Sequence, residues 1–111
     1  MLSKTHRLST KEFDLVVKTG RETYSPFFSI KYIPSSDFKL SSAAPKKIFK
    51  TAVSRNRTRR RIYAAVHEIL SLKNIRPSHV VLIVIKDIKD IDSPRLVRIT
   101  QDLFVLAGLI K

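Results

Sequence analysis

Between Phe38 and His67 the chain carries Lys39, Lys46, Lys47, Lys50, Arg55, Arg57, Arg59, Arg60 and Arg61, and no aspartate or glutamate. Nine of the thirteen net positive charges of this 111-residue protein therefore lie in that one stretch. Charge that serves solubility is interspersed with acids; a block of one sign is a surface for a polyanion. Arginine predominates in it, and a planar, permanently charged guanidinium engages phosphate oxygens in pairs.

The rest of the sequence offers little other chemistry. With no cysteine there is no disulfide, thiolate metal site or catalytic thiol. His6, His67 and His79 lack metal-ligand spacing, and no serine or paired-carboxylate arrangement suggests a nucleophile or an acid–base pair. Asp87, Asp90 and Asp92 are interleaved with Lys86 and Lys89, which reads as a turn before a capped helix rather than a cation loop. Neither a catalytic residue nor a metal ligand is assigned.

A helix must present the arginines. Thr58, Ile62, Ala65, Val66 and Ile69 recur at spacings of three and four, the core stripe of a long helix from about Thr51 to Leu72. At roughly 100° per residue, Arg55, Asn56, Arg57, Arg59, Arg60 and Arg61 fan over most of the circumference outside that stripe. Arg55 and Arg59, like Arg57 and Arg61, are like-charge i,i+4 pairs, each unfavourable by roughly 0.2–0.5 kcal/mol in an isolated helix. Cations near a helix start also oppose its dipole. A bound polyanion offsets both effects.

Around this helix the pattern predicts a small domain. Ser9 and Glu12 form a capping box, with Leu8 placed to staple onto Phe13. The helix so begun carries Phe13, Val16 and Val17 on one side and stops at Gly20. Phe27 to Ile33 alternates as a strand with Phe28, Ile30 and Tyr32 on one face; Pro34 to Asp37 is a turn; Phe38 to Ala43 is a weaker strand running toward Lys46. His79 to Ile85 is a β-branched run suited to a central strand. Asp92-Ser93-Pro94 opens a last helix lined by Leu96, Ile99, Leu103, Leu106 and Ile110. His67 falls on or beside the packed face of the long helix. The order is helix, two or three strands, helix, strand, helix: an α/β (α+β) two-layer sandwich on one small mixed sheet, forming a single domain over residues 1–111. The longest apolar run, Val80 to Ile85, is far short of a membrane span, and the first residues hold no apolar signal core, so a cytoplasmic location is expected.

Charge alone leaves DNA and RNA open, but no helix-turn-helix, zinc-finger or leucine-heptad pattern is present. An amphipathic membrane helix would need a freer apolar face than this core stripe. Tyr24 or Phe27 beside a strand can stack on unpaired bases, although ordinary core packing is the better account of each taken singly.

The segment Ala52-Val53-Ser54-Arg55-Asn56-Arg57-Thr58-Arg59-Arg60, preceded by Lys46-Lys47, resembles the protein subunit of bacterial ribonuclease P, in which a Lys-Lys pair at a strand end is followed by Ala-Val-x-Arg-Asn-Arg-x-(Lys/Arg)-Arg at the start of a long helix. The Arg7-Leu8 entry to a helix with Phe13 and the strands around the motif fall in the same order, so the likeness covers the whole chain. It implies the order αβββαβα with a left-handed βαβ crossover, where the general rule is right-handed. It implies an RNA partner that, with Mg²⁺ held mainly by that RNA, removes the 5′ leader of precursor tRNA, with no other protein required. Lys46, Lys47, Lys50, Arg55, Asn56, Arg57, Arg59, Arg60 and Arg61 would face the catalytic RNA. A cleft between the first helix and the sheet would take the leader, with Phe13, Val17 and either Lys31 or Tyr32 lining it. Val17 stands where the family often has a second aromatic, and Phe49 where a loop glycine is usual. Another structured-RNA-binding protein, ribosomal for instance, and a self-contained nuclease are the alternatives.

Overall fold

The computed structural model describes residues 6–110. Helix α1 (Thr10–Thr19) is followed by β1 (Arg21–Tyr24), β2 (Phe28–Pro34), β3 (Lys39–Ala43), α2 (Ala52–Leu72), β4 (Ser78–Val84) and α3 (Ser93–Leu106). The four strands form one sheet in the order β1-β2-β4-β3. β4 lies between β2, antiparallel to it, and β3, parallel to it. The expected order is therefore present, with a third strand before α2. That strand, β1, is Arg-Glu-Thr-Tyr and mostly exposed on the sheet edge; it has no apolar alternation to announce it.

Strand alternation assigns the two faces. Phe28 and Ile30 of β2, Leu40 of β3 and Val80, Leu82 and Val84 of β4 form the main core with Ile62, Ala65, Val66 and Ile69 of α2 and Leu96, Leu103 and Phe104 of α3. Helix α1 lies across the opposite face: Glu12 reaches Lys39 and His79, and the Lys31 ammonium is 3.5 Å from the Val17 carbonyl oxygen. Val16 and Val81 are fully buried there.

The termini of the helices follow local chemistry. The Ser9–Glu12 capping box is complete, with the Ser9 N–H donating to Glu12 at 2.8 Å and the Glu12 N–H to the Ser9 hydroxyl at 3.2 Å. Gly20 ends α1 in extended geometry (φ −71°), so its backbone is one that any residue adopts. Its requirement is space: a Cβ would sit 2.5 Å from the Val16 carbonyl oxygen and 3.1 Å from the Tyr32 nitrogen. Gly108, at φ +80°, turns the chain back after α3 so that Leu109 and Ile110 are buried beyond the helix end. Leu106, expected in the core stripe, is 66% exposed because the helix stops there. His67 is likewise exposed rather than packed. Among the described residues no helix is long and apolar enough to cross a membrane.

Glu12 also ties α1 to the sheet. Its carboxylate lies 3.1 Å from the Lys39 ammonium and 3.8 Å from His79 Nε2, whose ring is itself 3.0 Å from Asp37. The Ser9 backbone N–H and the Lys39 ammonium hold the Glu12 pKa down, from 4.5 to about 2, and the contact with His79 lowers that of Asp37. A depressed carboxylate stabilises the fold at pH values above its unfolded pKa, and that contribution is lost as pH falls through its folded value. The melting temperature should thus decline between pH 4.5 and pH 2, and Glu12→Gln should flatten that part of the curve while lowering the plateau above it.

Candidate nucleic-acid interface

The parallel strands β3 and β4 end at the same edge of the sheet, and α2 begins there. After β3 a tight turn, with the N–H groups of Ile48 and Phe49 donating to the Pro45 carbonyl at 3.1 and 2.9 Å, swings Phe49 into the core. Phe49 thus plugs the base of α2. Lys46, Lys47 and Lys50 are left exposed. Thr51 caps α2 through the Ser54 N–H at 3.1 Å, and the first turn contains no acid.

The six polar residues expected on the arginine surface divide in two. Asn56, Arg57, Arg59 and Arg60 are exposed, with Arg59 donating to the Asn56 side-chain oxygen. Arg55 and Arg61 are half-buried and turned onto the protein. Arg55 donates to the Phe49 carbonyl at 3.0 Å, fixing the turn beneath it. Arg61 donates to the Ile88 carbonyl at 2.7 Å and to that of Ile91, so it fastens the loop before α3 to the side of α2. Backbone carbonyls therefore satisfy two of the guanidinium groups from within the chain.

Arg7, read from the sequence only as part of the entry to α1, and Tyr63, not singled out there, complete the surface. The Arg7 guanidinium lies over the Tyr63 ring, 5.1 Å from its centroid, and the Tyr63 hydroxyl accepts from the Ser42 N–H at 3.2 Å. Arg7, Val53, Asn56, Arg59, Arg60 and Tyr63 line an open groove of about 520 Å³. The available signal was spacing: Tyr63 stands four residues after Arg59 and three after Arg60, hence on the same strip of helix.

The expected leader cleft is only partly assembled. Half-buried Phe13 and exposed Val17 lie on α1, and Lys31 faces that helix from β2. Tyr32 does not join them: the next residue along a strand points to the other face, and Tyr32 packs against the main core. Lys31 is the residue on the cleft side, as an ion pair with Glu22 at 3.6 Å. Tyr24, 61% exposed at the sheet edge, donates its hydroxyl to the same Glu22, which lowers the carboxylate pKa and raises that of the phenol. Phe27, by contrast, packs against the core.

The profile of the ribonuclease P family matches residues 2–107. A ribonuclease P protein component from a Nitratiruptor species is 48% identical over 54 residues, covering 48% of this chain and 49% of that protein. The alignment thus spans about half the length of that curated relative. In three dimensions the fold is similar to the ribonuclease P protein of Staphylococcus aureus (TM-score 0.77, 19% identity, 97% of this chain and 100% of that one). It is similar also to that of Thermotoga maritima (TM-score 0.76, 19% identity, 88% and 94%). With a cluster of exposed lysines and arginines around the acid-free first turn of α2, and a family match that runs over nearly its whole length, the chain belongs to the ribonuclease P protein family.

Proposed function

We propose that this chain is the protein component of a ribonuclease P ribonucleoprotein, binding a catalytic RNA through the α2 end of the sheet and the 5′ leader of precursor tRNA along the α1 face. The observation that carries the reading is the exposed, uncompensated set Lys46, Lys47, Lys50, Arg57, Arg59 and Arg60 in a chain of this family. Arginine forks and lysine ammonium groups hold RNA phosphates close together against their mutual repulsion. Ammonium and guanidinium groups are not metal ligands, and among the described residues no group of three His, Cys, Asp or Glu side chains is placed to hold an ion. Mg²⁺ needed for the cleavage would be held mainly by the RNA, whose phosphates this surface draws together. The leader would run past Phe13, Val17 and Lys31, with Tyr24 available at the sheet edge for a base to stack on.

Reconstitution at low Mg²⁺ tests this. The chain should raise cleavage of precursor tRNA by the catalytic RNA and cleave nothing alone. Cleavage by the protein alone would make it a nuclease; a catalytic RNA that binds the chain without any change in cleavage would make it a structural RNA-binding protein. RNA affinity should fall steeply with salt, the log–log slope growing by about 0.7–0.9 for each phosphate neutralised. A flat titration is incompatible with the interface.

A further inference from the structure

The groove between Arg7 and the exposed side of α2 has features that phosphate binding does not require. Arg59 and Arg60 supply cations, but Val53 (64% exposed), the Tyr63 ring and the Arg7 guanidinium supply flat or apolar surface beside them. Guanidinium planes and aromatic rings are the surfaces on which splayed-out RNA bases stack. Tyr63 is fixed, since its hydroxyl is held by the Ser42 N–H. Arg7 Nε is shielded from solvent and has no hydrogen-bond acceptor among the described residues. The Asn56 side-chain oxygen accepts from Arg59, which leaves the amide N–H₂ of Asn56 to donate elsewhere. At about 520 Å³ the groove falls within the range of roughly 300–1,000 Å³ typical of small-molecule sites.

From this combination we propose that the groove holds one unpaired nucleotide of the RNA partner, its base against the Arg7 guanidinium and Val53, its phosphate on Arg59 and Arg60. The proposal rests on the RNA-binding reading above and adds to it a shape-selective pocket. Arg7, which precedes α1, thereby couples the N-terminal segment to the RNA: an occupied groove also fixes the entry to the helix that borders the leader cleft.

The full-length chain is titrated with adenosine 5′-monophosphate and, at matched ionic strength, with inorganic phosphate, following NMR resonances of the Arg7 Nε–H, the Asn56 amide and the Tyr63 ring. The nucleotide should shift all three saturably, whereas phosphate should perturb Arg59 and Arg60 but not the Tyr63 ring. Identical responses to the two probes overturn the proposal. Affinity for the catalytic RNA is then measured for Arg7→Ala, Arg7→Lys and Arg57→Ala, with circular dichroism confirming the fold of each. Arg7→Ala should bind roughly tenfold more weakly, in the range of one lost base stack. Arg7→Lys should resemble it, because lysine keeps the charge and loses the plane; wild-type affinity in Arg7→Lys reduces the site to a charge and overturns the proposal. Unchanged affinity in Arg7→Ala beside a loss in Arg57→Ala refutes the groove alone, since Arg57 lies outside it. Unchanged affinity in both refutes the RNA interface itself.

Discussion

Replacing Arg57 and Arg60 together with alanine should weaken catalytic-RNA binding by a factor on the order of 10²–10⁴, as expected from losing two charge-assisted contacts worth about 1.5–3 kcal/mol each. Both side chains are exposed, and neither has a hydrogen bond among the described residues that would be lost. The melting temperature should therefore move by less than about 3 °C. Direct titration of labelled RNA, with thermal unfolding in parallel, measures both. A large loss of stability with RNA affinity unchanged would mean that the arginines serve the fold.

Arg61→Ala should do the reverse. Its two charge-assisted hydrogen bonds hold the Ile88 and Ile91 carbonyls, and Ile88 and Ile91 themselves close one end of the core. Removing the guanidinium leaves those carbonyls without their donor and frees the loop, destabilising the protein by about 2–4 kcal/mol. Denaturant unfolding reads this directly, and Arg61→Lys should recover only part of it, because a single ammonium cannot span two carbonyls as a fork does. Per molecule still folded, RNA affinity should change much less than in the Arg57/Arg60 variant. Two neighbours on one helix are thus separable by experiment, one set facing out and one facing in.

Features of the chain governed by neighbours in sequence were legible from sequence. The Ser9–Glu12 box, the Asp92 cap with its proline and the β-branched run of β4 each depend on residues within a few positions. Features governed by distant partners were not. A helical wheel places Arg55 and Arg61 on the polar side but carries no information that Phe49, Ile88 and Ile91 carbonyls come within reach. β1 escaped notice because an edge strand can be Arg-Glu-Thr-Tyr and still pair. The cleft shows a subtler case: alternation groups Tyr32 with Phe28 and Ile30, but which face meets α1 depends on distant packing, so Lys31 and Tyr32 both stay open until the fold puts Lys31 beside that helix. The Arg7–Tyr63 contact joins residues far apart in the chain, and only the packing of the N-terminal segment beside α2 reveals it.

The position of β4 bears on how the domain assembles. β2 and β3 are consecutive in the chain yet never touch in the sheet, and each waits for β4, some forty to fifty residues later, to fill the space between them. As a nascent polypeptide leaves the ribosome, the β1–β2 hairpin can form early, but the layer that backs α2 cannot. The high sequence separation of these pairings predicts refolding on the slower side for so short a domain. During that interval the arginine helix already carries its full charge without a finished core beneath it.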